Sequence, residues 1–165
     1  IRCATLYRQS AQNRLIVYAV NRAFAMDRII GRKAVLVADS IALHDPYFQQ
    51  DLLSARQLYG VKNKRGPGSR LKEFPFISGP HQTWLYIGKT FQLHKTKRIM
   101  TLNGIILGNH AVLDPAILSR YFRFPVIVFD GSIPLWKIQG WKKQADSLHL
   151  RHHSVFEQGA WETDL

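Results

Sequence analysis

The chain has 165 residues, 46% of them hydrophobic and 21% charged, with one cysteine. That composition excludes a disordered polypeptide, and the lone Cys3 excludes both an internal disulfide framework and a cysteine-rich zinc site. No run approaches the roughly 18 apolar residues of a membrane span, and the formal net charge of +12 fits a polyanionic partner, either nucleic acid or an anionic membrane surface. The excess of Lys and Arg lies before residue 126; the last forty residues are close to neutral.

Residues 1–13 are polar and basic without a clear period and read as a lead-in. Leu15 to Val20, Phe24 to Ile30 and Lys33 to Ala38 are β-rich runs, the last two separated by the hairpin-type turn Gly31-Arg32. They predict a three-stranded meander ending at Asp39-Ser40. Asp45-Pro46 is a helix start, with Asp as N-cap and Pro at the first helical position. Phe48, Leu52 and Ala55 follow at helical spacing, so a helix is expected from Pro46 to about Leu58, closed by Gly60. The next stretch holds Lys62, Lys64, Arg65, Arg70 and Lys72 around Gly66-Pro67-Gly68. It reads as an exposed loop, either a solvated connection or a set of phosphate contacts, and its five cations are the candidate DNA-binding residues.

Trp84–Ile87 and Thr90–Leu93, with Gly88-Lys89 between them, predict a second hairpin. A strand is expected at Arg98–Leu102, closed by Asn103-Gly104, and a short apolar piece follows at Ile105–Leu107. Asp114-Pro115 repeats the helix-start signal for a helix to about Tyr121. Pro125–Phe129 is the most apolar strand and is expected to be central and buried on both faces. Asp130-Gly131-Ser132 is a sharp turn, with Ser132 as the expected cap of the next helix. That helix should turn Ile138, Trp141, Ala145 and Leu148 toward the sheet. Leu150–Val155 and Ala160–Leu165 complete the strands. Strands first and strand–helix–strand units after them predict an α/β (mixed α+β), layered sheet-and-helix domain.

Several side chains invite chemistry. Ser132 follows a sharp turn but has no His or Asp partner identifiable in the sequence. Trp141 is expected in the core. Trp136 is expected to pack as well; exposed beside Lys137, Lys142 and Lys143 it would instead be a stacking surface for a DNA base. Trp161 reads as strand packing, and Asp27 and Asp39 as turn or edge carboxylates. His152 and His153 are neighbours in a strand, so their rings point to opposite faces and cannot chelate one ion together.

Two stretches, Arg14-Leu-Ile-Val-Tyr-Ala-Val-Asn-Arg-Ala-Phe-Ala-Met-Asp-Arg-Ile-Ile-Gly-Arg-Lys33 and Ile127-Val-Phe-Asp-Gly-Ser-Ile-Pro-Leu-Trp-Lys-Ile-Gln-Gly-Trp-Lys-Lys143, the second continuing at Leu150-Arg-His-His-Ser-Val-Phe-Glu-Gln-Gly-Ala160, resemble the soluble C-terminal domain of ComEC-type competence proteins in their Bacteroidota form. The family is the inner-membrane channel that passes one DNA strand into the cell in natural transformation. The resemblance covers 14–40 and 126–165, is weaker over 84–104 and does not reach 45–80. It implies residues 1–13 as a lead-in from an upstream membrane segment and 14–165 as one shortened, degenerate metallo-β-lactamase-like domain on the periplasmic side of the inner membrane. Its implied partners are single-stranded DNA, the transmembrane part of the same protein and the anionic membrane surface.

The lactamase fold binds two metals through a His-x-His-x-Asp-His cluster and further His and Asp ligands. The seven histidines here form no such cluster, and Asn103 stands at the position that resembles the bridging Asp. No metal or other cofactor is expected, and no catalytic residue is assigned. The expected function is non-catalytic handling or positioning of DNA at the channel. The competing readings are a nuclease that degrades the non-transported strand and an unrelated basic nucleic-acid-binding module.

Overall fold

A computed structural model describes residues 10–62, 75–93 and 98–165. The N-terminal meander forms as expected: β1 (Asn13–Val17), β2 (Ala25–Ile30) and β3 (Lys33–Ala38) pair antiparallel in that order. The chain's last strand, β11 (Trp161–Asp164), joins the free side of β1, with Arg14 opposite Asp164 and Val17 opposite Trp161. Two helices follow β3: α1 (Ser40–His44) and α2 (Pro46–Leu58). Asp45 caps α2 as its sequence signature predicts, its Oδ1 accepting the amides of Tyr47 and Phe48 at 2.8 and 3.2 Å.

A second sheet has five strands in the order β10-β9-β7-β5-β4. These are β4 (Phe76–Ser78), β5 (Thr83–Ile87), β7 (Gly104–Leu107), β9 (Val126–Phe129) and β10 (Arg151–Ser154). All are parallel except β4, which pairs antiparallel with β5. Two-residue strands β6 (Met100–Thr101) and β8 (Phe122–Arg123) pair with each other beside it. The remaining helices are α3 (Pro115–Leu118), α4 (Leu135–Ser147) and α5 (Val155–Gln158).

The alternation of side chains along the strands sorts the apolar residues into three cores. Leu15, Val17, Met26, Trp84, Tyr86, Ile106, Val126 and Val128 meet between the two sheets. Ile16, Ile29, Ala34 and Leu36 face the opposite way, under Phe48 and Leu52 of α2. Leu85, Ile87, Ile105, Leu107, Ile127 and Phe129 lie under Ile138, Trp141 and Ala145 of α4 and Leu118 of α3. The layers therefore run helix, sheet, sheet, helix, a mixed α+β architecture. Each sheet is covered on both faces, which is why β5, β7 and β9 read as continuous apolar runs.

Several expectations are corrected. Residues 90–93 form no strand: β5 finds its partners in β4 and β7, and the Lys89 amide donates to the Asn109 carbonyl at 3.0 Å. The short apolar piece at Ile105–Leu107 is an interior strand of the parallel sheet. The strand expected at Arg98–Leu102 shrinks to two residues, and the helix after Asp114 ends at Leu118. Leu148 does not face the sheet; it is the C-cap residue of α4 and is 37% exposed. Ser132 does not cap α4, because the helix begins at Leu135 with Pro134 as its N-cap residue.

Candidate functional site

Strands β5, β7 and β9 run parallel, so their carboxyl ends lie together, and that end of an open α/β sheet is where ligands characteristically bind. Here it carries Tyr86, then Asn109-His110, then Asp130-Gly131-Ser132. Asp39, at the end of β3 in the other sheet, adds its charge to the environment of both Tyr86 and Asp130.

Asp130 is fully buried. Its Oδ1 accepts the Ser132 hydroxyl at 2.6 Å and the Ser132 amide at 2.9 Å, and the Asn109 amide also donates to the carboxylate. Oδ2 has no partner, and it lies where a side chain on Gly108 would have to be. Burial pushes the carboxyl up to about 7, against the pull of the Ser132 and Asn109 hydrogen bonds, with the Asp39 charge adding to the rise. Tyr86 is raised as well, by burial first and then by the Asp130 and Asp39 charges; its hydroxyl also lacks a partner. The partner that Ser132 lacked in the sequence is therefore Asp130, two residues back. Ser132 is itself buried, and its oxygen also accepts the His110 amide at 3.3 Å.

The loop between β1 and β2 closes this end. Phe24 stacks on Tyr86 with centroids 4.8 Å apart. The backbone carbonyls of Val20 and Ala23 press on Gly131 so closely that no Cβ fits there. Val20 and Ala23 are buried, while Arg22 at the loop tip is exposed with φ +55°. Asn109 and His110 are also left-handed, at φ +45° and +57°. Non-glycine residues in that region store backbone strain that the surrounding packing must hold.

The two-metal site implied by the lactamase resemblance does not fit these residues. Both oxygens of Asp39 accept backbone amides, from Phe24 at 2.9 Å and Ala42 at 2.8 Å, so the carboxylate staples the loop and caps α1. Asp130 sits beneath the loop. Among the described residues no group of three or more His, Cys, Asp or Glu side chains is placed to hold a metal ion. Asn103 is not at this end at all. Its Oδ1 accepts the Thr83 amide at 2.8 Å, at the amino end of β5.

The other candidates separate. Of the cationic run, Lys62 is exposed, with its amide tied to the Arg32 carbonyl at 2.9 Å; Lys64, Arg65, Arg70 and Lys72 lie outside the described residues. Asp27 is neither a turn nor an edge carboxylate: it is buried in β2 and paired with Arg56 of α2 at two points, 2.8 and 3.1 Å. Asp27 lies on the same face of β2 as Ile29, two residues on, and its partner comes from a helix 29 residues away. His152 and His153 point to opposite faces, one toward Asp146 at 3.0 Å and the other toward the Gly159 carbonyl at 2.9 Å. Trp161 packs near Trp84 and His153. Trp141 is buried beside Phe129, whereas Trp136 is 73% exposed and makes no part of the core.

No curated protein and no solved structure matches the chain. The family model for the ComEC C-terminal domain matches residues 15–165, which takes in the segment 45–80 that the sequence motifs alone did not reach. With nearly the whole of its length matched, the chain belongs to the ComEC C-terminal domain family.

Proposed function

We propose that this domain handles or positions single-stranded DNA beside a ComEC-type channel without cutting it. Membership of the family ties the chain to DNA uptake for competence. The observation that carries the non-catalytic reading is the state of the two carboxylates at the carboxyl end of the sheet. Asp39 spends both oxygens on backbone amides, and Asp130 is sealed under Gly131 and the β1–β2 loop. These groups hold a closed end together: Asp130 is shut away from water beneath the loop, and each oxygen of Asp39 already accepts a backbone amide. The shape, a shortened relative of the lactamase sandwich, belongs to the same proposal.

The basic charge supports a polyanion as partner, with Lys62, Lys64, Arg65, Arg70 and Lys72 as the first contacts. The domain is proposed to stand on the periplasmic face, joined to the membrane part of its own protein. No helix among the described residues is long and apolar enough to cross a membrane. The test is incubation of labelled single-stranded DNA with the purified chain, with and without added manganese or zinc. Salt-sensitive binding with the DNA intact is the expected result. Metal-dependent cleavage that survives purification of the chain to homogeneity and disappears in Asp130→Asn would establish the nuclease reading instead.

A further inference from the structure

Helix α4 carries a surface that its packing does not explain. Its buried face is Ile138, Trp141 and Ala145. On the opposite side Trp136, Gly140 and Lys143 follow at offsets of four and seven residues, which brings them onto one stripe. All three are exposed, and Trp136 is the most exposed tryptophan of the described residues. A glycine inside a helix costs stability relative to alanine and usually has a steric reason. Gly140 has none: a Cβ there would meet nothing within 4 Å. What the glycine does provide is a flat step one turn beyond the indole. Lys143 stands on the next turn, and its ammonium makes no ion pair among the described residues. The neighbouring lysines are occupied, Lys142 with Glu157 and Lys137 with the Ala111 carbonyl and the Trp141 ring.

We infer that this stripe is a base-stacking platform for single-stranded DNA, with a base on Trp136, the sugar or next base over Gly140 and a phosphate at Lys143. The inference rests on the proposed DNA-handling role and gives it a second, aromatic contact. Charge complementarity supports this occupant. Lys143 stands on the stripe itself without an ion pair among the described residues, and Lys137 and Lys142 flank it on α4. Exposed Arg120 and Arg123 follow α3, which packs against α4, so the cations of this layer outnumber Asp114 and Asp146. The rise of an α-helix sets Gly140 about 6 Å and Lys143 about 10 Å along the axis from Trp136, a spacing that successive nucleotides can follow. Stacking on an exposed aromatic ring is tolerant of sequence, which suits a domain that must pass any strand.

The experiment measures binding of a fluorescein-labelled oligo-dT to the full chain across a salt series. Trp136→Ala should weaken binding about 5- to 150-fold with the salt slope unchanged, because stacking releases no counterions. Trp136→Phe should retain most of the affinity. Lys143→Ala should lower the slope by roughly 0.7. Gly140→Leu should raise the melting temperature and still weaken binding, which separates blockage of the platform from damage to the fold. If the wild-type chain fails to bind oligo-dT at low salt, the DNA-handling role itself falls, and this surface with it. If the wild type binds and Trp136→Ala binds equally well, only the platform is wrong. Loss of binding to phosphatidylglycerol vesicles in Trp136→Ala, with oligo-dT binding intact, would also overturn it and assign the stripe to the membrane surface.

Discussion

The hydroxyl and the amide of Ser132 both donate to one oxygen of Asp130, at 2.6 and 2.9 Å, and leave the other oxygen buried without a partner. The turn that ends β9, a strand that lies between β10 and β7 rather than at the centre of the sheet as its apolar run suggested, is thus closed on itself by its own first and third residues. Burial penalises the charge of this half-satisfied carboxyl more than its hydrogen bonds repay, so it keeps its proton to higher pH than an exposed Asp.

A pH dependence of stability follows from that carboxyl. Its folded value of about 7 lies above the roughly 3.9 of an unfolded Asp. Between those values the folded chain binds the extra proton, so stability falls as pH rises. The contribution is complete below about pH 4 and lost as pH passes about 7, a difference of roughly a few kcal/mol. Urea midpoints at about pH 5 and pH 8 should therefore differ, the higher pH being the less stable. Asp130→Asn, which cannot ionise, should reduce that difference markedly. An unchanged pH profile in the variant would remove Asp130 as its source.

Gly131 is the contact point of the β1–β2 loop, because the Val20 and Ala23 carbonyls occupy the space of a Cβ. Gly131→Ala should destabilise the fold by about 1–3 kcal/mol or more, since backbone, not a mobile side-chain tip, must yield. Thermal melts of Gly131→Ala and Gly140→Ala make the comparison. The first should melt lower than wild type, and the second, in open space on a helix, should melt higher.

The Asp27–Arg56 pair joins the antiparallel sheet to α2. Arg56→Ala strands a carboxylate that is fully buried, and a destabilisation of about 3–5 kcal/mol is expected in denaturant unfolding. Replacing both partners together, as Asp27→Leu with Arg56→Met, should recover a large part of that stability. If the double replacement is as unstable as Arg56→Ala, the buried charge is not what the single variant exposes.

The cationic run at 62–72 should act through counterion release. Converting Lys62, Lys64, Arg65, Arg70 and Lys72 to Ala should weaken single-stranded DNA binding to a similar degree for all sequences. The log–log salt slope should flatten by roughly 0.7 for each phosphate that is no longer neutralised. Equal binding by wild type and variant would move the DNA-binding surface elsewhere. Loss of vesicle binding alone would make the run a membrane anchor.

The sequence by itself determined the local elements whose causes are local. β-rich runs and the Gly31-Arg32 hairpin turn set the β1–β3 meander, the Asp45-Pro46 pair started α2, and the spacing of Ile138, Trp141 and Ala145 chose the buried face of α4. The apolar run ending at Phe129 announced a strand covered on both sides. Family membership was legible too, because the stretches at 14–33 and 127–160 keep characteristic phrases. Only the tertiary structure decided what depends on distant partners. β5 pairs with β4 and β7 rather than with residues 90–93, and β11 returns to β1, because strand pairing is settled by which surfaces remain to be covered, not by a turn nearby. Asp27 became a buried ion pair through a helix far along the chain. Trp136 came to lie in solvent because α4 begins at Leu135 and turns Ile138 and Trp141 inward, which leaves Trp136 on the opposite side of the helix. The closed end of the sandwich was invisible for the same reason: the Asp130-Gly131 turn lies far along the chain from Val20 and Asp39, and they meet only where the two sheets pack face to face.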